Sequence, residues 1–111
     1  MAKGLLIVLS EPTAGADEDE FNRWYSEEHA PEMIDRGAAV SFRRLRASGI
    51  PLAAGIPEPA TYVAVYEIEA ETAEDVEAIK AQLGRTKHLS RGMSSTLDLA
   101  SIRAAFYLPV D

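Results

Sequence analysis

Hydrophobic and polar positions divide the chain into four strand-like segments. Residues 3–10 (KGLLIVLS) are almost wholly apolar, which is typical of a central strand covered on both faces. Residues 38–48 alternate in character, so that Phe42 and Arg44 share one face and Arg43 lies on the other. Residues 61–69 (TYVAVYEIE) are rich in β-branched and aromatic side chains, and residues 97–110 alternate again. The pattern predicts one strand in each segment.

A first helix is predicted between the first two strands. It begins near Asp17, whose carboxylate can cap the free amides of the first turn. Pro31 lacks an amide hydrogen and disfavours helix at the preceding residue, so the regular helix should end or kink around His29. Residues 32–36 add a further turn, and Gly37 is the predicted stop.

A second helix is predicted between the last two strands. Thr72-Ala-Glu-Asp75 resembles a capping box, and the helix should run to about Leu83, burying one apolar stripe, with Gly84 as its stop. Residues 85–93 form a basic connection to the last strand. The resulting order, βαββαβ, is that of a ferredoxin-like α+β fold with a four-stranded antiparallel sheet.

Both helices of such a fold cover the same face of the sheet and leave the other face open. The predicted strands place aromatic and aliphatic side chains on that open face, more apolar surface than water accommodates well. Packing the open faces of two copies together would bury it. We therefore predict a homodimer whose two sheets form a barrel-like core, a dimeric α/β barrel.

Composition narrows the class of protein further. The length of 111 residues predicts a single domain over residues 1–111, and the net charge of −7 argues against nucleic acid or an anionic membrane as partner. No apolar run has the ~20 residues of a membrane helix, and no signal peptide is evident, so we expect a cytoplasmic protein. With no cysteine and two histidines, a metal site is not expected, and no nucleotide-binding motif indicates a cofactor.

One face of the first helix changes from apolar to ionisable along its length. Its members follow the spacing i, i+3, i+4, i+7 and i+8: Phe21, Trp24, Tyr25, Glu28 and His29. A helix that only covers a sheet carries aliphatic residues there, so the ionisable end indicates a cavity. His29 is the best candidate for proton transfer, because only imidazole has an ordinary pKa near neutrality. The alternative is a histidine that stabilises the helix end through the helix dipole.

The motif Phe21-x-x-Trp24-Tyr25-x-x-x-His29-x-Pro31-Glu32, followed by Gly37 and the strand FRRLR (residues 42–46), resembles the EthD-like branch of the dimeric α/β-barrel superfamily. That superfamily includes cofactor-independent monooxygenases, muconolactone-type isomerases, polyketide decarboxylases and dehydratases, and haem-using enzymes. The resemblance implies a pocket in each subunit, between the sheet and the first helix, near the histidine. It does not name the substrate.

Two further side chains are candidate catalytic groups beside His29. Tyr25 offers a hydroxyl donor, and Arg44 offers a planar guanidinium that matches an enolate or carboxylate. Arginines on such a strand also often pair with surface carboxylates, and which arginine faces the pocket is left open. The candidate substrate-binding residues lie on the same helix and on the third strand: Trp24, Glu28, Glu32, Met33, Tyr62 and Tyr66. Core packing of the aromatic rings and solvation of the glutamates are the competing interpretations.

The leading functional hypothesis is a small cofactor-independent enzyme. It would act by proton transfer on an apolar aromatic or polyketide-like oxygenated substrate, as an isomerase, a lyase or dehydratase, or a monooxygenase. The alternative is a non-catalytic small-molecule-binding or accessory protein on the same fold. A haem protein is a third possibility, with His29 or His88 as the axial ligand.

Overall fold

A computed structural model describes residues 3–111. The strands are β1 (Gly4–Ser10), β2 (Ser41–Arg46), β3 (Tyr62–Ile68) and β4 (Arg103–Tyr107). The helices are α1 (Glu18–Trp24), α2 (Ala30–Asp35) and α3 (Ala73–Arg85), and a π-helical turn, Tyr25–His29, joins α1 to α2. All strand pairs are antiparallel, in the order β2-β3-β1-β4. This is the predicted ferredoxin-like arrangement.

The two faces of the sheet differ as the strand patterns predict. Alternate residues of β3 are buried on the helix-covered face: Tyr62, Ala64, Tyr66 and Ile68. Phe21 of α1 packs into this core and is fully buried. The other face carries partly exposed aliphatic side chains: Leu5, Ile7, Leu9, Val63 and Val65. Leu45 and Tyr107 are exposed at its edges, at 42% and 54% of their surface. This face is the apolar surface predicted from the sequence.

The regular first helix gives way to a π-helical turn that ends at His29, where Pro31 predicts an end or a kink. The Ala30 amide donates to the Tyr25 carbonyl, five residues earlier, and the chain then continues into α2. This wider turn lets the helix pass a proline, whose ring would collide with the carbonyl four residues before it in a regular α-helix. Gly37 ends α2 as predicted, with a φ of 78°.

The second strand begins later than predicted, at Ser41 rather than residue 38. The amides of Ala38 and Ala39 both donate to the Met33 carbonyl and so complete the end of α2 instead of entering the sheet. Ala38 and Ala39 are nevertheless buried.

The last helix passes Gly84, the predicted stop, and ends at Arg85. Thr86 and Arg36 hold its final carbonyls: the Thr86 hydroxyl donates to Gln82 O, and Arg36 Nη2 donates to Leu83 O at 2.6 Å. The predicted apolar stripe of α3 is less buried than expected, because none of its residues is fully buried. Val76, Ile79 and Leu83 are half-buried, and Ala78 is exposed.

The final strand is shorter than the alternating segment over residues 97–110. Residues Leu99–Ser101 form a 3₁₀ turn instead. The Asp98 side chain accepts from the Ala100 amide, and the Ser101 hydroxyl donates to the Asp98 carbonyl at 2.6 Å. Local side-chain hydrogen bonds of this kind compete with strand pairing.

Candidate functional site

His29 lies at the end of the π-helical turn and packs against two aromatic rings. It stacks on Trp24, with centroids 4.8 Å apart and an interplanar angle of 16°. It meets Tyr25 edge-on, with centroids 5.0 Å apart. Its Nδ1 atom is buried without a hydrogen-bond partner. Burial lowers the pKa of His29 below its ordinary value, so the ring is neutral at pH 7 and can accept a proton.

Tyr25 forms the floor of the site, between the helix and the sheet, and is 2% exposed. Its hydroxyl interacts with Tyr66 of β3 and Ser10 of β1. Burial raises the pKa of both tyrosines above the ordinary value. Both phenols are therefore protonated at neutral pH, and each can act as a hydrogen-bond donor.

Arg44 of β2 reaches into the same interface. Its Cζ atom lies 4.3 Å from the centroid of Tyr25 and 5.3 Å from that of Tyr62. Nη1 donates to Asn22 Oδ1 at 2.9 Å and to Ser26 Oγ at 3.1 Å. Nε and Nη2 are buried and have no hydrogen-bond partner. Desolvation lowers the pKa of Arg44, but a guanidinium remains charged at any physiological pH.

A polar stripe of the first helix provides the hydrogen-bond partners of Arg44. The sequence analysis did not predict this stripe. Its residues are four apart, at Glu18, Asn22 and Ser26, and so face the same side. Asn22 Nδ2 donates to the Tyr62 hydroxyl at 3.1 Å, and that hydroxyl donates to Glu18 Oε2 at 2.8 Å. The spacing is visible in the sequence, but the aromatic stripe beside it was the stronger signal.

The two candidate glutamates lie in other surroundings. Glu28 accepts from Arg23 Nη2 at 2.8 Å on the surface of the helix. Glu32 is buried and accepts from the Arg91 amide at 2.8 Å, with Arg36 3.8 Å away. Neither carboxylate hydrogen-bonds His29 in the part of the chain that the structure describes. Glu32 anchors the connection after α3.

The remaining candidates divide between core and surface. Trp24, Tyr62 and Tyr66 belong to the hydrophobic core, and Met33 packs at its edge. His88 is exposed in a 3₁₀ turn, Lys87–Leu89, away from the aromatic cluster.

Three cavities among residues 3–111 are described by their lining residues. One, of about 290 Å³, adjoins Arg44 and is lined by Asn22, Ser26, Arg44, Leu45, Arg46 and Tyr62. The largest, of about 490 Å³, lies between α3 and residues 37–40. A third, of about 320 Å³, lies under the loop between β2 and β3. Arg44 lines the first of these three cavities, and His29 lines none of the three.

Residues 3–111 contain neither a cluster of metal-binding side chains nor a helix that could span a membrane. No three His, Cys, Asp or Glu side chains come together in a group that could hold a metal ion. No helix in this range is long and apolar enough to cross a membrane.

Solved structures share this fold at low sequence identity. An EthD-like protein from Ralstonia eutropha JMP134 is 18% identical, with a TM-score of 0.62, and covers 100% of this chain and 95% of its own. An EthD (ethyl tert-butyl ether D) family protein from Bacillus halodurans C-125 is 13% identical, with a TM-score of 0.57, covering 99% of this chain and 100% of its own. A dimeric ferredoxin-like protein of unknown function from Thermobifida fusca YX is 15% identical, with a TM-score of 0.47, covering 96% and 91% respectively.

The sequence matches no family model, and no curated protein is significantly similar to it. The structural likeness extends over the whole of the described chain, whereas the identities of 13% and 18% are too low to transfer an activity. The chain therefore has the ferredoxin-like fold of the EthD-like proteins.

Proposed function

We propose that the protein is a cofactor-independent enzyme that transfers a proton on an apolar, oxygenated substrate. The observation that carries the proposal is the pair of unsatisfied groups around Tyr25: the buried Nδ1 of His29 and the buried Nε and Nη2 of Arg44. Buried polar atoms in folded proteins nearly always have partners, so exceptions that meet at one place are a signal of function.

The two groups have complementary chemistry. His29 is held neutral by burial and can take a proton from carbon next to a carbonyl group. The substrate then carries the electron pair as an enolate, and Arg44 supplies a fixed positive charge for its oxygen. The ring of Tyr25 packs against both groups. Return of the proton at another atom gives an isomer, and loss of a leaving group gives an elimination product.

The experiment is deuterium exchange, which does not require the natural substrate. Purified protein is incubated in D₂O with a panel of aryl ketones, and exchange next to the carbonyl is followed by NMR. We expect exchange with the native protein and a loss of at least about 100-fold in His29→Gln, the size of a general-base contribution. The matched control is His88→Gln, which changes the exposed histidine. Full exchange by a folded His29→Gln would remove the mechanism.

A non-catalytic binding protein is the second candidate, and one observation favours it. Glu28 and Glu32 are engaged by Arg23 and by the Arg91 amide, so neither of these two carboxylates orients the His29 ring. A protein that only binds its ligand has no need of that orientation. Recovery of every bound test compound chemically unchanged, without deuterium, would support this candidate.

We also propose that the protein is a homodimer through the open face of its sheet. Ile7 and Val65 pair at the middle of this face, with Leu5 and Val63 nearby, and all four are only partly buried. Exposed apolar patches of such extent mark interaction sites. A second copy of the chain would present the same apolar surface, and packing the two copies about a two-fold axis would bury both surfaces.

A further inference from the structure

The charge of Arg44 has no counter-ion in the part of the chain that the structure describes. Its Nη1 atom bonds only neutral oxygens, from Asn22 and Ser26. No ion pair to a carboxylate is formed, and its other two nitrogens are buried without partners. The nearest carboxylate of the stripe, Glu18, accepts from Tyr62 instead. A buried charge is normally paired, whereas Arg44 is an unneutralised cation that packs over the rings of Tyr25 and Tyr62.

The space beside Arg44 has the sign and size for a small anion. The 290 Å³ cavity is bordered by a second guanidinium, Arg46, and none of its lining residues is acidic. The chain as a whole carries a net charge of −7, so this is a local reversal of sign. A cavity lined by one sign of charge concentrates ions of the opposite sign. Its volume is near the ~300 Å³ lower end of ligand pockets, which suits a ligand with one ring.

We propose that the Arg44 cavity binds the carboxylate group of a small organic acid, which would be part of the substrate. The guanidinium plane matches a carboxylate, and the ring of Tyr62 supplies apolar contact for the rest of the ligand. A phosphate is the poorer match, because Asn22 and Ser26 lie inside a helix and offer no free backbone amides of the kind that phosphate sites use. The inference rests on the proposed function and specifies its substrate class.

The test uses three carboxylates, benzoate, phenylacetate and cyclohexanecarboxylate, with the neutral isostere benzamide and with phenyl phosphate. Binding to the native protein is measured by calorimetry and by the shift of the melting temperature. We expect at least one carboxylate to bind tenfold or more tightly than benzamide and phenyl phosphate. Arg44→Gln and Arg46→Gln should each weaken that carboxylate at least tenfold.

A matched control lies on the same strand. Arg43 is exposed and points to the opposite face of the sheet, so Arg43→Gln removes one positive charge from β2 without touching the cavity. We expect this variant to bind the carboxylate as the native protein does. Arg46 is exposed, so Arg46→Gln should fold normally. This variant keeps the test decisive even if circular dichroism shows that Arg44→Gln is misfolded.

Several outcomes overturn the inference. These are no binding of any of the three carboxylates, equal binding of benzamide, tighter binding of phenyl phosphate, or an equal loss in Arg43→Gln. His29→Gln separates this inference from the proposed function, because it should retain carboxylate binding while losing deuterium exchange. Exchange that survives in His29→Gln refutes the proton-transfer mechanism and leaves the carboxylate site standing. If exchange is lost in His29→Gln but the native protein binds none of the carboxylates, the carboxylate site is refuted and the proton-transfer mechanism stands.

Discussion

Trp24 and His29 stack face to face, with ring centroids 4.8 Å apart, although they are five positions apart in the sequence. In a regular α-helix, residues five apart point in directions about 140° from each other, so their rings cannot stack. The π-helical turn over Tyr25–His29 has more residues per turn and rotates His29 back over Trp24. The same turn joins Arg23 to Glu28, also five residues apart. The position of the imidazole therefore depends on one irregular turn.

The stack allows the protonation of His29 to be read from tryptophan fluorescence. Trp24 is the only tryptophan of the chain, and an imidazolium quenches the emission of an indole that it contacts. Because burial lowers the pKa of His29 below 6.5, we expect emission to fall in a single step with a midpoint below pH 6.5. His29→Gln should abolish the step, and His88→Gln should leave it unchanged. A midpoint above 6.5 in the native protein contradicts the assignment.

The same lowered pKa predicts how stability depends on pH. In the unfolded chain His29 titrates with the ordinary pKa of 6.5, and in the folded chain with a lower pKa. Between these two pKa values the unfolded state therefore holds more protons than the folded state. Stability attributable to His29 is therefore complete above pH 6.5 and is lost as pH falls through the lowered pKa. Urea unfolding of the native protein and His29→Gln between pH 5 and 8 measures this. The stability of the native protein relative to His29→Gln should fall towards acid, and a constant difference would contradict the prediction.

Deleting one residue should convert the π-helical turn into an ordinary α-helical one. Glu27 is suitable because it is exposed and makes only a 3.8 Å ion pair with Arg23. We expect the deletion variant to remain helical by circular dichroism and to keep the pH-dependent quenching, since Trp24 and His29 are then four positions apart and lie on one face of a regular α-helix. Glu27→Ala, which keeps the chain length, should keep the quenching as well. Loss of the quenching in the deletion variant alone would contradict this account of the turn.

Arg44 should contribute to function rather than to stability. Replacing a buried, unneutralised charge by an apolar side chain is often neutral or stabilising, so Arg44→Met should leave the free energy of unfolding within about 1 kcal/mol or raise it. Phe21→Ala, at a fully buried position, should lose about 3–5 kcal/mol in the same urea titration. A loss of that size in Arg44→Met would show that the guanidinium is a structural group.

A charge at the middle of the open sheet face should dissociate the proposed homodimer. Ile7 lies opposite Val65 at the centre of this face, and Ile7→Lys should weaken association more than tenfold, about 1.4 kcal/mol, by placing an unpaired charge in the interface. Sedimentation velocity over a range of concentrations measures the change. Leu89→Lys changes an exposed apolar residue outside the sheet and should have no effect. A monomeric native protein refutes the dimer.

The fold was predictable from the sequence because it depends on periodic patterns that repeat along each element. The alternation in β3 separates Tyr62 and Tyr66 from Val63 and Val65, and the structure keeps that division. The Asp17 cap and the Thr72–Asp75 capping box are local signals and lie where predicted. Element ends were less predictable, since Gly84 is overridden by the contacts of Arg36, a residue distant in sequence.

By itself, the sequence determined the order of the elements, which residues of each strand share a face, and the choice of Tyr25, His29 and Arg44 as chemically notable residues. Tertiary structure alone decided which space these residues border. The π-helical turn aims His29 at Trp24, and strand pairing brings Arg44 beside Asn22 and Ser26, next to the cavity. No periodic sequence pattern predicts either contact. The first depends on an irregular helical turn, and the second depends on two elements that are distant in sequence and meet only in the folded chain.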